Sequence, residues 1–320
     1  MNTDYILIVL GEPYSVFSEI IGKYFRNKKK FKKKIIIIGN KNLLIKQLKK
    51  LNCNFPINSI SNYKDAEKKK INLINIKFKH KKIFDKISNK SNLYIRNCFK
   101  KSLEIIENKK DKFVLINGPV SKKTFLKKQY SGITEYLSQK THSTNEVMLI
   151  YNNKFSVSPI TTHIPIKKVV RNITKEKIQN KVIRLNNFYK KVFKKKIVIA
   201  VLGLNPHCET IDKFSEEEKI IYPAIKYLKN VGIRIFGPFS ADTFFIKKNI
   251  NKYDLVIGMY HDQVLTPMKT IFNFDAINIT VGLPFIRISP DHGPNSDMLG
   301  KNLSDPSSFI YAMKFAENIR

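Results

Sequence analysis

The stretch that decides the fold is Tyr253–Gln263, YDLVIGMYHDQ. It opens with an apolar run, Leu255–Ile257, which is typical of a buried strand. The run ends abruptly in the polar residues His261, Asp262 and Gln263. Open α/β sheets present their chemistry in this way, because functional groups follow the carboxyl ends of buried strands. The stretch therefore predicts one strand of an α/β sheet with functional groups at its end.

A second strand-like run, Ile277–Val281, repeats this arrangement further along the chain. It is followed by Gly-Leu-Pro and then by Arg287, Asp291 and His292, and Lys269 lies between the two runs. A single histidine in such a place is more often the cap of a solvated strand edge than part of a site. Several polar groups share the arrangement here, and together they favour a functional site.

Strand, turn and helix alternate along the chain, which predicts a mainly parallel α/β sheet. The first strand, Tyr5–Leu10, ends at Gly-Glu-Pro and is followed by a helical pattern over Ser18–Phe25. A later strand, Phe113–Ile116, ends in Asn-Gly-Pro. No GxGxxG follows the first strand and no GxxxxGK[ST] occurs anywhere, so neither a Rossmann dinucleotide site nor a P-loop is supported.

Length and composition place the chain among globular proteins with one or two domains. Its 320 residues are 42% hydrophobic, and no run of about 18 apolar residues predicts a membrane-spanning helix. The N-terminal MNTDYILIVLGEP has an acid and no basic segment, which indicates a first strand and not a signal peptide. Three cysteines are too few for a disulfide framework, and we expect a cytoplasmic protein.

The net charge of +34 is a feature shared with nucleic-acid-binding proteins. The excess lies outside the motifs, since residues 200–300 hold ten Lys and Arg against eleven Asp and Glu. It is concentrated in runs such as Lys28–Lys34 and Lys194–Lys196, which a solvated surface accommodates. No zinc-finger spacing or RNP-like motif is present, so a nucleic-acid partner is not expected.

Three histidines, His163, His207 and His261, each follow an apolar strand pattern. Three neutral imidazoles suit Zn²⁺ or a similar divalent ion, and catalytic sites commonly keep an open position for substrate. Their spacings of 44 and 54 residues match no compact metal motif, so unrelated strand-end histidines remain the alternative.

A second group of polar residues suits an anionic small molecule. Lys269, Asn278 and Arg287 offer two cations and an amide, and a guanidinium binds an anion through two parallel hydrogen bonds. Asp242, in GPFSADT, follows another strand and could orient a metal ligand or the substrate. Ordinary surface salt bridges are the alternative for each residue taken singly. The residues alone indicate an α/β enzyme with a candidate histidine metal site for an anionic small molecule.

Seven stretches carry a resemblance to a known family, in the family's order and over nearly the whole chain. They are LINGPVSK, SPITTHIPIKKV, VLGLNPH, GPFSADTFF, YDLVIGMYHDQ, INITVGLPFIRISPDHG and the closing DPSSFIYAMKFA. With these stretches the chain resembles the 4-hydroxythreonine-4-phosphate dehydrogenases, enzymes of the pyridoxal phosphate pathway. Several stretches are long, so the resemblance is far more specific than any single motif.

The resemblance implies two α/β/α domains with a cleft between them, as in isocitrate and isopropylmalate dehydrogenases, and without a Rossmann fingerprint. We place the first domain at residues 1–128 plus about 295–320, and the second at about 129–294. The second domain would then carry most of the metal and substrate residues. The family also implies a homodimer whose metal site lies at the interface, with one ligand from the partner subunit.

The resemblance further implies a role for individual residues. The implied ligands of one divalent ion, Zn, Mg or Co, are His163, His207 and His261. The implied substrate contacts are Thr134, Lys269, Asn278 and Arg287. Asp242 matches a family carboxylate near the site and, with Lys269, is a candidate catalytic residue.

The implied reaction is oxidation of the secondary alcohol of 4-phosphooxy-L-threonine by NAD⁺ or NADP⁺. A metal would lower the pKa of the alcohol and stabilise the negative charge that develops on its oxygen, while hydride leaves to the nicotinamide. The resulting 2-amino-3-oxo acid loses CO₂ readily, because the ketone accepts the electrons, and gives 3-amino-2-oxopropyl phosphate. Lys269 or a metal-bound water would accept the proton, and the sequence leaves both open.

The chain departs from the family pattern near its N-terminus and on the phosphate side of the site. The family's GDPAGIGPE is here GEPYSVFSE, and the histidine of the family's GHTE is Ile133. An apolar side chain cannot donate a hydrogen bond to phosphate, so lysine or backbone N–H groups would have to compensate. The nearest alternative is therefore a paralogous dehydrogenase of another phosphorylated hydroxy acid, such as a four-carbon sugar-acid phosphate. A lysine-rich nucleic-acid-binding protein and a decayed enzyme are the remaining alternatives.

Overall fold

A computed structural model describes residues 4–28, 30–107, 111–127, 129–144, 146–208, 211–273 and 275–319. Its strands, in chain order, are β1 (Tyr5–Val9), β2 (Lys34–Gly39), β3 (Ile57–Ile60), β4 (Ile71–Asn75), β5 (Phe113–Asn117), β6 (Val147–Tyr151), β7 (Ser156–Thr161), β8 (Ile199–Leu202), β9 (Ile235–Phe239), β10 (Leu255–Tyr260), β11 (Ile277–Val281) and β12 (Ile286–Ser289). Its α-helices are α1 (Phe17–Phe25), α2 (Lys41–Lys50), α3 (Asn92–Ile106), α4 (Ile133–Lys140), α5 (Val169–Asn172), α6 (Lys175–Val192), α7 (Tyr222–Asn230), α8 (Ala241–Phe244), α9 (Lys247–Ile250), α10 (His261–Phe272) and α11 (Ser307–Asn318).

The chain divides into two compact units, and the first is discontinuous. Unit 1 comprises Met1–Ser143 with Leu283–Arg320, and unit 2 comprises Thr144–Gly282. The sequence placed the boundaries elsewhere, at residues 128/129 and about 294/295. Helix α4 belongs to unit 1 because Tyr136 and Leu137 lie in its core, which moves the first boundary later. Strand β12 pairs with β5 of unit 1, which moves the second boundary earlier.

Unit 1 is built on a parallel sheet with the strand order β3-β4-β2-β1-β5-β12. The sequence of strand β2, KIIIIG, explains why this strand forms. β-Branched isoleucines favour a strand, and a continuous apolar run suits burial on both faces of the sheet. Leu7 and Val9 of β1 pack in a core with α3 and α4, while Ile6 and Ile8 on the opposite face are also fully buried. The predicted α/β class is therefore confirmed in unit 1.

Unit 2 has the strand order β11-β6-β7-β10-β8-β9. Strand β6 is antiparallel to both of its neighbours, and β7, β10, β8 and β9 are parallel to one another. The core of this unit includes Val157 of β7, Ala200 of β8 and Val256 of β10, together with Val264 and Met268 of α10. A mainly parallel α/β sheet, as predicted, forms the frame of this unit as well.

The cysteines are small core residues. Cys53, Cys98 and Cys208 are all buried and carry free thiols. Burial raises the pKa of the Cys98 thiol to about 12, so this thiol is protonated and unreactive. Among the helices of the described ranges, none is long and apolar enough to cross a membrane.

Candidate active site

The carboxyl ends of four adjacent strands in unit 2 carry the predicted metal ligands and their neighbouring carboxylate. The strands lie in the order β7-β10-β8-β9 and all run parallel. His163 comes two residues after β7, His261 directly after β10, His207 five residues after β8, and Asp242 three residues after β9. Because parallel strands end at the same edge of a sheet, residues far apart in the chain come together at this edge.

His163 and His261 lie side by side at this edge. Their ring centroids are 5.7 Å apart. The Thr161 hydroxyl donates a hydrogen bond of 2.8 Å to the Met259 carbonyl and so connects the ends of β7 and β10. Nδ1 of His261 lies 2.6 Å from the Asp262 carboxylate, a contact that orients the ring and leaves Nε2 for a metal ion. The geometry thus offers two imidazoles from neighbouring strands.

His207 lies with Asp242 instead. Its Nδ1 is 4.0 Å from Oδ2 of Asp242, and the two side chains are 81% and 57% exposed. Within the described ranges, no group of three or more His, Cys, Asp or Glu side chains is arranged to hold a metal ion. His163 and His261 are two imidazoles, fewer than a divalent-ion site needs, so the metal site stays a prediction.

Glu217 holds the loop that carries His207. This residue is fully buried in a π-helical turn, Glu217–Ile221, which directly precedes α7. Its Oε1 accepts hydrogen bonds from the backbone N–H groups of Leu204 (2.6 Å) and Asn205 (2.9 Å), and its Oε2 accepts one of 2.8 Å from the Asn205 side chain. His207 follows with φ at 55°, a left-handed conformation that such external support stabilises. The sequence analysis missed Glu217, because three consecutive glutamates carry no pattern that distinguishes one from the others.

Gln263 connects the loop of His207 to the strand that precedes His261. Its Nε2 donates to the Gly203 carbonyl at 2.7 Å, and its Oε1 accepts from the Met259 N–H at 2.6 Å. In the sequence Gln263 follows a strand, but no local pattern indicates this role. In the structure this side chain joins the carboxyl ends of β8 and β10, so the positions of the two histidines depend on each other.

Two of the predicted substrate contacts also lie in unit 2. Lys269 is on α10, about two helical turns after His261, and its side chain is exposed. Asn278 is half-buried on β11, opposite Ile150 of β6. Their contact with substrate stays a prediction.

Arg287 and Thr134 come together in unit 1. Arg287 is fully buried on β12, where its Nε donates to Oδ1 of Asn117 at 2.8 Å and its Nη1 donates to the Thr134 hydroxyl at 3.0 Å. Burial lowers the pKa of Arg287 to about 10, although the charge of Glu135 acts in the opposite direction. The guanidinium is therefore positively charged at neutral pH. Thr134 and Arg287 were both predicted as substrate contacts, and the structure joins them directly.

Two residues near this pair, Asn117 and Ile133, are relevant to the predicted phosphate contacts. Asn117 was missed by the sequence analysis, although its place at the end of β5, before Gly-Pro, was an available signal. Ile133, the residue in place of the family histidine, begins α4 and packs half-buried against the core of unit 1. The substituted position therefore contributes to packing in this chain.

Glu12 lies in the N-terminal segment that departs from the family pattern. It is 1% exposed and follows β1, and the Ser91 hydroxyl donates to its Oε2 at 3.1 Å. Burial raises the pKa of Glu12 to about 7, and the hydrogen bonds only partly oppose this rise. The preceding Gly11 has φ at 71°, and a Cβ atom there would lie 2.5 Å from the Pro119 carbonyl, so the turn requires glycine.

Comparisons with known proteins point to one family. Residues 31–316 match the model of the family described as pyridoxal phosphate biosynthetic protein PdxA. The chain is 38% identical over 318 residues to a 4-hydroxythreonine-4-phosphate dehydrogenase of a Sulfurihydrogenibium species, which covers 97% of each chain. It is 35% identical over 188 residues to a D-threonate 4-phosphate dehydrogenase of Pectobacterium atrosepticum, 58% of each chain. The solved structure of 4-hydroxythreonine-4-phosphate dehydrogenase from Klebsiella pneumoniae superposes with a TM-score of 0.86 at 26% identity, covering 98% of this chain and 97% of that one.

Proposed function

The chain belongs to the family of pyridoxal phosphate biosynthetic protein PdxA and is a dehydrogenase, and we propose that it oxidises 4-phosphooxy-L-threonine with NAD⁺ or NADP⁺. In this reaction the C3–H bond breaks and hydride passes to the nicotinamide ring, while the hydroxyl proton passes to a base. The product, a 2-amino-3-oxo acid, then loses CO₂ to give 3-amino-2-oxopropyl phosphate. The full-length similarity to relatives named for this activity supports the proposal.

The observation that carries the proposal is the meeting of His163, His261, His207 and Asp242 at one edge of the sheet of unit 2. His163 and His261 would hold a divalent ion (Zn, Mg or Co), and the chemistry that such an ion supplies is Lewis-acid stabilisation of charge on an alcohol oxygen. We propose that His207 joins them in the assembled protein and that a second subunit supplies one of the three histidines. A homodimer would explain why the described residues of one chain form no complete ligand set.

The substrate's anionic groups need fixed donors. The buried pair of Arg287 and Thr134 offers charged and neutral hydrogen-bond donors whose positions Asn117 fixes. A guanidinium held in this way recognises phosphate or carboxylate more selectively than a mobile lysine does. Lys269 and Asn278 would complete the contacts, and Lys269 or Asp242 would act on the proton that leaves the alcohol.

A second candidate substrate is D-threonate 4-phosphate, which some relatives are named for. The two candidates share the phosphate and the secondary alcohol and differ at C2, where one carries an amine and the other a hydroxyl. The relatives named for D-threonate 4-phosphate support this alternative, whereas Ile133 lies on the phosphate side that both substrates share and does not discriminate between them.

The test is NADH formation from each substrate with NAD⁺ and a divalent metal ion, repeated after chelation. We expect turnover of 4-phosphooxy-L-threonine that chelation abolishes and that His207→Ala reduces by at least about a hundredfold. His142→Ala is the matched control, because His142 is an exposed histidine outside the edge described above. Turnover of D-threonate 4-phosphate alone would support the second substrate. Turnover of neither by folded, metal-loaded protein would refute the proposal.

A further inference from the structure

A basic cavity in unit 2 has no place in the proposed reaction. It has a volume of about 230 Å³ and lies between the carboxyl end of β7 and one face of α6. Its polar lining consists of Thr161, Thr162, Asn172, Asn180 and the cations Lys177, Lys181 and Arg184, and none of its lining residues is acidic. The cavity wall includes residues on both sides of His163 in the chain, namely Thr162 and Ile164.

The three cations line the cavity because of their spacing on α6. Lys177, Lys181 and Arg184 are four and three residues apart, which places them on one face of a helix. Like charges at this spacing destabilise a helix. An arrangement of this kind is stabilised by a bound anion.

The lysines of the cavity are held in fixed positions. Nζ of Lys181 donates to the Ile160 carbonyl at 2.8 Å, and Nζ of Lys177 donates to the Asn172 backbone and side-chain oxygens at 3.1 Å each. Burial, and to a smaller extent the charge of Lys177, lowers the pKa of Lys181 to about 8, while the charge of Glu146 acts in the opposite direction. An ammonium group has three N–H donors, so one that makes one or two hydrogen bonds to the protein can still donate another to a ligand.

Arg184 gives the cavity an available guanidinium. It is half-buried, and across the described ranges we find no hydrogen bond or ion pair from its side chain to another residue. Its five N–H donors form a fork that matches the oxygen atoms of phosphate. A half-buried guanidinium that has no acceptor among the described residues, beside two lysines in a cavity whose lining contains no acid, matches the chemistry of an oxyanion site.

We propose that this cavity is a phosphate-binding site, separate from the pair of Arg287 and Thr134 and lined by none of the residues proposed for the reaction. Arg184 binds two oxygens of the phosphate, and Lys181 and Lys177 neutralise its charge. The bound group is inorganic phosphate or the phosphate of a larger ligand such as a nucleotide. Because Thr162 and Ile164 flank His163, an occupied cavity also restrains the loop that carries this histidine.

The experiment is calorimetric titration of the full chain with inorganic phosphate and, separately, with ADP, at constant ionic strength in chloride. We expect saturable binding in which one equivalent, separate from any phosphate bound by Arg287 and Thr134, has a Kd that Arg184→Ala raises about tenfold or more. Lys177→Ala is a second variant at an exposed position, in case Arg184→Ala does not fold. At the site that Arg184→Ala weakens, tighter binding of ADP than of phosphate would identify a nucleotide as the ligand class, and the reverse order would identify the free ion.

The matched control is the double variant Lys190→Ala/Lys191→Ala. Both lysines are exposed on the last turn of the same helix and outside the cavity lining, so this variant removes more charge without touching the site. We expect its Kd to stay within about twofold of the unmodified chain, as for exposed charges in general. Absence of saturable binding, or equal weakening in the control and the cavity variants, would mean that phosphate associates only with the general positive charge and would overturn the proposal.

Discussion

Replacement of Glu217 by alanine is the sharpest test of how the fold positions His207. The buried carboxylate receives three hydrogen bonds from Leu204 and Asn205, and alanine removes the acceptor for all of them. The Asn205 side chain keeps one partner, because it also donates to Glu216 at 2.8 Å. The two backbone N–H groups lose the acceptor that they share, and the loop must rearrange to satisfy them.

The structure sets the size of the effect. Hydrogen bonds to a charged group are worth about 1.5–3 kcal/mol each, so the loss of two gives a destabilisation of about 3–6 kcal/mol. This is a large fraction of the roughly 5–15 kcal/mol by which a folded domain exceeds its unfolded state. For the metal ion, release of the loop of His207 should weaken binding by about 10–100-fold, as loss of partners that support ligands does elsewhere.

Two measurements check this prediction: urea unfolding of unit 2 and competition of the metal-loaded protein with a chelator. Glu218→Ala is the matched control, because Glu218 is the next residue in the same π-helical turn and is exposed. We expect this control to change stability by less than about 0.5 kcal/mol. If Glu217→Ala unfolds at the same urea concentration as Glu218→Ala and retains its metal affinity, the carboxylate does not hold the loop and the reasoning fails.

For two other substitutions the structure determines the direction in which the unfolding free energy changes. The folded-state pKa of Glu12 is raised from 4.5 to about 7, so its favourable contribution is complete below pH 4.5 and is lost as pH rises through about 7, a change of roughly 3 kcal/mol. Glu12→Gln should therefore flatten the pH dependence of the unfolding free energy between pH 5 and pH 8. If this pH dependence is the same in the variant, burial does not raise the pKa of Glu12. Arg287→Lys loses the hydrogen bonds to Asn117 and Thr134 and should destabilise the chain by about 2–4 kcal/mol in urea unfolding. Arg171→Lys, at an exposed arginine of α5, should leave stability unchanged, and equal effects of the two substitutions would show that the pairing of Arg287 contributes nothing.

The elements that carry the site could be predicted from sequence because their signals are local. The run from Leu255 is continuously apolar, and the structure confirms it as β10 (Leu255–Tyr260), with His261 directly after it. The same reasoning placed Arg287 after a second strand, whereas in the structure it lies within β12. A polar residue inside a strand gives no periodic signal, and the partners that satisfy Arg287, such as Asn117 and Thr134, are distant in the chain.

The supporting residues could not be predicted because their roles depend on neighbours that are distant in sequence. Glu216, Glu217 and Glu218 are chemically identical, yet Glu217 alone of the three is buried. The π-helical turn directs this one carboxylate at the loop after β8. Similarly, the boundary predicted from sequence lies before α4, because no local sequence pattern shows that Tyr136 and Leu137 pack in the core of unit 1.

The sequence by itself determined the α/β class, the strand ends and the residue types that follow them, since the periodicity and polarity of short segments encode these features. Only the tertiary structure decided which strand ends are neighbours. In the chain His207 comes between His163 and His261, but in the sheet β10 lies between β7 and β8, so His163 pairs with His261 and His207 with Asp242. Strand order is set by hydrogen bonds and packing between segments about a hundred residues apart, and no local pattern contains that information.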